Sequence, residues 1–413
     1  MTKLTNPRLL VFCAIALAMV VMLAFAKEKK EQPKKVAAHL LLKSGKEVEL
    51  ADVNGEDSLK LSWGSFELVL DYYDIQKCNF SGKPIVKNNT YNINAKVLLS
   101  NGIELTGRAI FPNFKSIEGN WDFGTRKVFW KELSSVTFRR TAGPPESVSK
   151  LFGTISDQKG KMIHMLSLPE TQATQRINYV QNEIFGTKDR TKYFALPCGS
   201  GYIFLPFSDI VQIVGKEQTW EVKRRSGKKL SLVVVEGGAV QAITGRSNVG
   251  HFRLKVTQLG TLKFEHQAPS PDKPKSGLAS KSIRRISGTI SDHLGLTHKL
   301  EGIQFYYFVG HCGFWIPKRP SDYSRSSGHM LVKLPDGSEA TIELASLRSI
   351  SFKEGTLMNI SSKTGKTIEA KLYDPYGRGT YMGDEGFVGV VVIGSDKYWG
   401  YFPINLIKAI QFE

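Results

Sequence analysis

The stretch Leu133-Ser134-Ser135-Val136-Thr137-Phe138 contains the pattern that decides the fold. It has an aliphatic residue, a second aliphatic residue three positions later, and a phenylalanine two positions after that. The spacing recurs at Ile75/Cys78/Phe80, Leu259/Leu262/Phe264, Leu347/Ile350/Phe352 and Ile407/Ile410/Phe412, and Ile210/Ile213 is a sixth copy with Gly215 in place of phenylalanine. Such spacing is typical of a tight helical turn that runs into a strand, because side chains alternate along a strand.

Short polar turns with glycine accompany these endings. They are Lys43-Ser44-Gly45-Lys46, Ser100-Asn101-Gly102, Lys159-Gly160-Lys161, Ser226-Gly227-Lys228, Asp336-Gly337-Ser338 and Thr364-Gly365-Lys366. Asn-Gly and Asp-Gly favour β-hairpins because both residues tolerate positive φ, and Ser-Gly and Thr-Gly are weaker forms of that signal. The turns and endings together predict an all-β chain of six small modules in tandem.

A larger duplication covers the second part of the chain. The sequence Gly-Thr-Ile-Ser-Asp at residues 153–157 recurs at residues 288–292. A five-residue identity in register predicts copies of a two-module unit. The expected units are residues 39–138 (modules 1 and 2), 151–266 (modules 3 and 4, with an insertion at 169–192) and 283–413 (modules 5 and 6, with an insertion at 303–328). Within the first insertion, Thr171–Phe185 has the apolar spacing of a helix.

One stretch resembles a known architecture. Residues 97–107, Val-Leu-Leu-Ser-Asn-Gly-Ile-Glu-Leu-Thr-Gly, place a glycine hairpin between apolar strands. Together with the final strand of each module, this is similar to the small, strongly bent β-barrels of the Sm-like class. The resemblance implies a fold of small β-barrel modules. Proteins of that class bind RNA through polar residues in specific loops, which this sequence does not match, so the RNA activity is not carried over.

The N-terminus has the three-part pattern of a secretory signal. Lys3 and Arg8 precede an uncharged apolar run, and Ala24-Phe25-Ala26 suits a signal peptidase. We expect residues 1–26 to be a signal peptide or a membrane-anchor helix, and residues 27–38 to be a basic tether. The tether resists translocation. The signal pattern favours a body that is exported or periplasmic, or anchored at the membrane by the N-terminal helix, and the basic tether leaves a cytoplasm-facing body as the alternative.

The composition is strongly basic, with a formal net charge of +18. Such a surplus attracts polyanions, so the expected partners are an anionic polymer, a lipid surface or an envelope protein. Nucleic acid is a further candidate, and strand addition between copies would allow self-assembly. Lysines exposed at turns for solubility are the alternative explanation of the charge.

The second insertion contains the sharpest candidate site. Its aromatic and basic side chains are Tyr306, Tyr307, His311, Phe314, Trp315, Lys318 and Arg319. Exposed aromatic rings beside cations stack on sugars or bases, or lie at a membrane interface. The alternative is a buried pair of strands, because tyrosine and phenylalanine favour strands.

Motifs of catalysis are absent from the sequence. It contains no G-x-S-x-G, no Walker A loop, no G-x-G-x-x-G that opens a helix and no H-E-x-x-H. It has no CxxC pair, so neither a metal site nor a cofactor is expected. Cys198 and Cys312 could form a disulfide if the body faces an oxidising compartment, and buried thiols are the alternative.

These features favour a non-catalytic cell-envelope binding or scaffold protein built of β-modules. One alternative is a membrane-tethered nucleic-acid-binding protein. Another is an enzyme with its site in the aromatic insertion.

Overall fold

The computed structural model describes residues 33–142, 151–173, 180–181, 184–185, 189–265, 286–306, 326–353, 357–372 and 385–413. The prediction of an all-β protein is confirmed. Within the described residues the strands form two large antiparallel sheets, of 19 and 13 strands.

The strands and the short helices lie as follows. The first ten strands are β1 (Lys35–Leu42), β2 (Glu47–Asn54), β3 (Ser58–Trp63), β4 (Phe66–Asp71), β5 (Ile75–Lys87), β6 (Thr90–Leu99), β7 (Glu104–Pro112), β8 (Ser116–Trp121), β9 (Gly124–Phe129) and β10 (Leu133–Ala142). The next eleven are β11 (Gly153–Asp157), β12 (Met162–Met165), β13 (Glu170–Ala173), β14 (Tyr193–Cys198), β15 (Gly201–Pro206), β16 (Ile210–Lys216), β17 (Thr219–Arg224), β18 (Lys229–Val233), β19 (Val240–Ser247), β20 (Gly250–Lys255) and β21 (Leu259–Phe264).

The last eleven strands are β22 (Gly288–Asp292), β23 (Thr297–Tyr306), β24 (Ser326–Ser327), β25 (His329–Lys333), β26 (Glu339–Glu343), β27 (Leu347–Phe352), β28 (Leu357–Ser362), β29 (Thr367–Leu372), β30 (Gly386–Ile393), β31 (Asp396–Pro403) and β32 (Ile407–Phe412). The 3-10 helices of the described residues are η1 (Tyr72–Asp74), η2 (Trp130–Glu132), η3 (Arg190–Lys192), η4 (Phe207–Asp209), η5 (Val256–Gln258), η6 (Leu344–Ser346) and η7 (Ile404–Leu406).

Each recurring ending is a strand that follows a 3-10 helix directly: β5, β10, β16, β21, β27 and β32. In all six strands the pairing register skips one residue just after the first aliphatic position. This β-bulge returns the following side chains to the face of the first, so Ile75 and Cys78 are both buried although three positions apart. The three-residue spacing between the two aliphatic positions thus depends on the bulge as well as on the helical turn. The sequence pattern predicted the turn but not the bulge.

The centre of each ending strand lies in a row of fully buried side chains. Val136 pairs with Leu40 on one side and with Cys78 on the other. The equivalent rows are Ile155–Leu262–Ile213 and Ile290–Ile410–Ile350. All nine residues are 0 % exposed. Burial of such aliphatic side chains stabilises the fold by roughly 1.5–3 kcal/mol each, so these rows form the core of the sheets.

The chain divides into two compact units. Unit 1 comprises the described residues of Met1–Leu59 and Leu70–Val148. Its strands pair in the order β9-β8-β2-β1-β10-β5-β6-β7. Strands of the two modules predicted here pair with each other, since β2 pairs with β8 and β1 pairs with β10. The boundary between the two sequence modules is therefore not a boundary of strand pairing.

Unit 2 comprises Lys60–Val69 and the described residues of Ser149–Glu413. One series of its strands pairs in the order β4-β20-β19-β12-β11-β21-β16-β17-β18. A second series pairs in the order β15-β31-β30-β23-β22-β32-β27-β28-β29. The two series correspond strand by strand. The series of unit 1 corresponds to both of them except that it has no counterpart of β4 and β15. Its first member, β9, therefore corresponds to β20 and β31.

Five of the six predicted glycine turns lie at equivalent hairpins, and one does not. Gly337 is at the tip between β25 and β26, which is a later hairpin of its module. The equivalent first turn of module 5 is at Gly295, whose φ of 81° matches the 79° of Gly160. Sequence reasoning missed it because Leu294, an apolar residue that is 54 % exposed, occupies the turn.

The first insertion begins as a strand and not as a helix. Within the predicted helix Thr171–Phe185, the first three residues belong to β13, which pairs with β19. The described residues Val180 and Ile184 are helical and buried, as their spacing indicated.

The predicted signal peptide or anchor at residues 1–26 lies outside the described residues. Of the residues that are described, none belongs to a helix long and apolar enough to cross a membrane.

Candidate functional site

Most of the predicted aromatic site lies outside the described residues. This applies to Tyr307, His311, Phe314, Trp315, Lys318 and Arg319. Tyr306 ends β23 and is only 1 % exposed, with its ring edge-on to Tyr401 at a centroid distance of 6.0 Å. The Tyr306 ring is therefore part of the core, which agrees with the alternative of a buried strand at this position.

The structure brings together a different set of residues, at a hairpin added to a sheet edge. The hairpin β14–β15 lays β15 along β31, where Tyr202 pairs with Tyr401 and Ile203 pairs with Gly400. A Cβ at Gly400 would lie 2.5 Å from a methyl carbon of Val391 and 3.1 Å from the Tyr202 carbonyl oxygen. Glycine at this position therefore allows the close approach of the added strand.

A buried carboxylate fixes the tip of this hairpin. Asp292 is 0 % exposed, and its Oδ2 accepts a hydrogen bond from the Ser200 backbone N–H at 3.2 Å. Its Oδ1 accepts from the N–H groups of Leu294 at 3.0 Å and Leu296 at 2.8 Å. Because a carboxylate binds several N–H donors strongly in a low-dielectric site, Asp292 joins the β22–β23 turn to the inserted hairpin.

A second buried aspartate holds another hairpin tip in the same way. Asp157 is 2 % exposed, and its Oδ2 accepts from the Ser65 N–H, at the tip between β3 and β4, at 2.7 Å. Its Oδ1 accepts from the N–H groups of Lys159 and Lys161. The strand β4 of this hairpin pairs with β20, with Phe66 opposite Leu254. The two aspartates are the last residues of the duplicated Gly-Thr-Ile-Ser-Asp sequence, whose role thus includes holding a hairpin.

Glycine precedes the tip serine in both hairpins. Gly64 has φ 63° and Gly199 has φ 60°, in the left-handed region that favours glycine. A Cβ at Gly64 would lie 2.6 Å from Asp157 Oδ2, and one at Gly199 would lie 3.1 Å from Asp292 Oδ2. The carboxylate can reach the serine N–H only because no side chain is present there.

Three groups with reactive chemistry meet at the second hairpin. Cys198 Sγ lies 3.7 Å from His298 Nδ1, and His298 Nε2 lies 3.7 Å from Asp292 Oδ2. The order thiol, imidazole, carboxylate is that of a nucleophile, a base and an orienting acid. Burial raises the pKa of Cys198 to about 12, with a smaller contribution from the charge of Asp292.

The electrostatics of this cluster oppose nucleophilic activation. Burial also lowers the pKa of His298 below its ordinary value, although Asp292 acts in the opposite direction. At neutral pH the imidazole is therefore neutral, and no cation stabilises a thiolate at Cys198. Cys198 is a free, buried thiol in the structure, and the cluster serves as packing around the hairpin anchor.

The basic side chains around the β17–β18 turn are largely paired internally. Arg224 donates to Asp209 at 2.6 Å, to Asp396 at 3.3 Å and to the Tyr398 hydroxyl at 3.1 Å. Lys228 donates to the other oxygen of Asp396 at 3.1 Å. These contacts join the two strand series of unit 2, so Arg224 is a structural residue and not a free cation for a ligand.

An exposed aromatic and cationic patch lies instead at the β8–β9 hairpin of unit 1. Phe123 is 83 % exposed, and its ring lies 5.0 Å from that of Trp121, which is 38 % exposed. The Arg126 guanidinium lies over the Trp121 ring at 4.8 Å. This patch has the chemistry that the sequence analysis assigned to the second insertion. Its signal in the sequence, Trp-Asp-Phe-Gly before two basic residues, was overlooked.

No group of three or more metal-ligating side chains occurs among the residues for which the structure gives positions. The comparisons with known proteins match no family model, no curated protein and no solved structure. Any functional assignment therefore rests on the geometry of this chain.

Proposed function

We propose that the protein is a non-catalytic scaffold of the cell envelope that holds an anionic surface. The observation that carries the proposal is the repeated hairpin joint, in which Asp157 and Asp292 each fix an added strand. Strand addition is a means of assembly, because main-chain hydrogen bonds supply the adhesion.

The proposal includes the architecture of six modules in three pairs. Each pair is formed by two interleaved, bent β-barrels, at residues 39–138, 151–266 and 283–413. The equivalent strand order in the three pairs and the bulge in all six ending strands support this organisation. The Sm-like resemblance remains one of architecture.

The proposed location follows from the N-terminal sequence. Residues 1–26 direct the chain to the membrane, and the basic stretch that follows tethers the exported body. The tether ends before Lys35, four residues earlier than the sequence indicated, because β1 begins there and buries Val36 and Ala38. A basic body at an envelope surface meets anionic polymers and lipid headgroups, which present the same phosphate and carboxylate chemistry.

The proposed contact surface is the patch of Trp121, Phe123 and Arg126. Exposed rings beside a guanidinium suit either the sugar faces of an anionic polysaccharide or the headgroup layer of a bilayer. The overall charge of +18 adds a long-range attraction.

A binding measurement on the full-length chain tests this function. The probes are immobilised polygalacturonate and vesicles with and without phosphatidylglycerol. We expect binding at low salt that weakens as the salt concentration is raised. A preference for one of the two probes shows whether the anionic partner is a polysaccharide or a lipid surface. Replacing both Trp121 and Phe123 with alanine should weaken binding about fivefold to thirtyfold, since each such contact contributes roughly 0.5–1 kcal/mol.

The matched control is Ile85→Ala, which removes an exposed aliphatic side chain (52 % exposed) without changing the patch. Its binding should equal that of the unaltered chain. Absence of binding to both probes at low salt would contradict the proposed function.

A further inference from the structure

Three hairpins occupy the same position in the chain relative to a 3-10 helix. They are β3–β4 before η1, β14–β15 before η4 and β25–β26 before η6. The first two lie on the edges of β20 and β31, as described above. Within the described part of the chain, β26 pairs only with β25, so its outer edge is open.

Three strands likewise occupy the position that receives a hairpin. They are β20 before η5, β31 before η7 and β9 before η2. The first two carry β4 and β15. The third, β9, has only β8 as its partner among the strands that the structure describes. Among the described strands, one donor hairpin and one acceptor edge are thus left without a partner.

Both occupied joints have the same register. On the donor strand, Glu67 stands five residues before the first residue of η1, and Tyr202 stands five residues before that of η4. On the acceptor strand, Arg253 and Tyr401 each stand three residues before the next 3-10 helix. Glu67 pairs with Arg253, and Tyr202 pairs with Tyr401.

The open strands carry complementary charges at these same positions. Five residues before η6 stands Glu339, and three residues before η2 stands Lys127. The pair would repeat the Glu67–Arg253 ion pair, whose Oε1 and Nη1 lie 3.2 Å apart. Glu339 and Lys127 are both exposed. Charged side chains on edge strands discourage pairing with edges of like charge and allow pairing with edges of opposite charge.

We propose that the β25–β26 hairpin of one copy adds to β9 of a second copy, with Glu339 opposite Lys127. The contact joins two different surfaces of the chain. A heterologous contact of this kind joins copies head to tail. The proposed contact repeats between copies the joint that occurs twice within the chain.

The joint between copies lacks the buried carboxylate of the internal joints. The position that corresponds to Asp157 in unit 1 is Leu42, because Leu42 pairs with Leu133 as Asp157 pairs with Leu259. A leucine cannot accept a hydrogen bond from the incoming tip. The joint between copies therefore depends on main-chain pairing and on exposed charges, and it is weaker and more sensitive to salt than the internal joints.

This inference deepens the proposed scaffold function by naming a second copy as the partner, and it has an independent test. Sedimentation velocity of the full-length chain, in mild detergent because residues 9–26 are apolar, should show mass that rises with protein concentration and falls with salt. Glu339→Lys alone and Lys127→Glu alone should each weaken association roughly tenfold. A chain with both changes should recover it, because the exchanged charges pair between copies.

The controls are Lys96→Glu and Glu369→Lys, which reverse exposed charges on β6 and β29. They should leave association unchanged, and the midpoint of thermal unfolding should be the same in all variants. A chain that stays monomeric at every concentration would overturn the inference, and so would association that the charge changes at positions 339 and 127 do not alter. Binding to polygalacturonate or vesicles is measured in a separate experiment. The proposed scaffold function and the proposed association of copies can therefore fail independently of each other.

Discussion

Replacing Asp292 with alanine lowers the free energy of unfolding of the full-length chain by about 3–5 kcal/mol. The substitution leaves the buried N–H group of Ser200 and the part-buried N–H groups of Leu294 and Leu296 without their acceptor. Each unsatisfied buried donor costs about 1–3 kcal/mol, and water reaches this site poorly because Asp292 is fully buried. Urea denaturation followed by tryptophan fluorescence measures the loss.

Two further variants separate the anchor from a general effect of removing an aspartate. Asp292→Asn keeps an acceptor oxygen of the same shape and should lose less stability. Asp336→Ala removes an exposed carboxylate that bonds only Ser338 in the open hairpin tip, and it should cost at most about 1 kcal/mol. If the alanine variants at 292 and 336 unfold at the same urea concentration, Asp292 does not anchor the hairpin.

Replacing Gly288 with valine is expected to destabilise the chain by about 2–4 kcal/mol. Gly288 pairs with Phe412, and a Cβ built on it would lie 2.3 Å from the Gln411 carbonyl oxygen. Since that oxygen belongs to the backbone, β22 and β32 would have to move apart. Thermal unfolding of the full-length chain measures the effect.

The matched control is Gly328→Val, because a Cβ at Gly328 meets no atom within 4 Å. Its midpoint of unfolding should stay close to that of the unaltered chain. An equal loss at positions 288 and 328 would show that the close approach of the two strands is not the cause.

The duplicated Gly-Thr-Ile-Ser-Asp sequence explains why much of the fold could be predicted. Its glycine permits the close approach of the closing strand, its isoleucine lies in the central buried row, and its aspartate binds the turn. Each requirement selects one residue type at a fixed position of the strand, so each leaves a signal in the sequence. The same is true of Gly215, which replaces phenylalanine in the sixth ending because a Cβ there would lie 2.0 Å from the Leu259 oxygen.

The exchange of strands could not be predicted from the sequence. Alternation of apolar and polar residues indicates that β2 has one buried face, but it is compatible with any neighbouring strand. The partner of β2 is β8, at Ala51 and Asn120, far along the chain. The spacing therefore predicts modules, while the pairing of the strands depends on long-range contacts that the pattern does not encode.

The hairpin anchor was missed for a related reason. Asp292 lies beside a glycine turn, where aspartate is common for local reasons, and its contact with Ser200 spans 92 positions. Cys198 and His298 are likewise 100 positions apart. The prediction of a binding site at the second insertion followed the aromatic residues of the sequence, yet Tyr306, the one of them that the structure describes, is buried.

Hydrogen exchange of the backbone amides, measured by mass spectrometry on dilute full-length chain, distinguishes strands that are paired along both edges from strands with an unpaired edge. If β4 and β15 are added to the edges of β20 and β31, their peptides at residues 66–71 and 201–206 will exchange slowly, while the open strand at residues 339–343 will exchange fast. Exchange at 66–71 and 201–206 as fast as that at 339–343 would show that β4 and β15 are not held at the edges of β20 and β31.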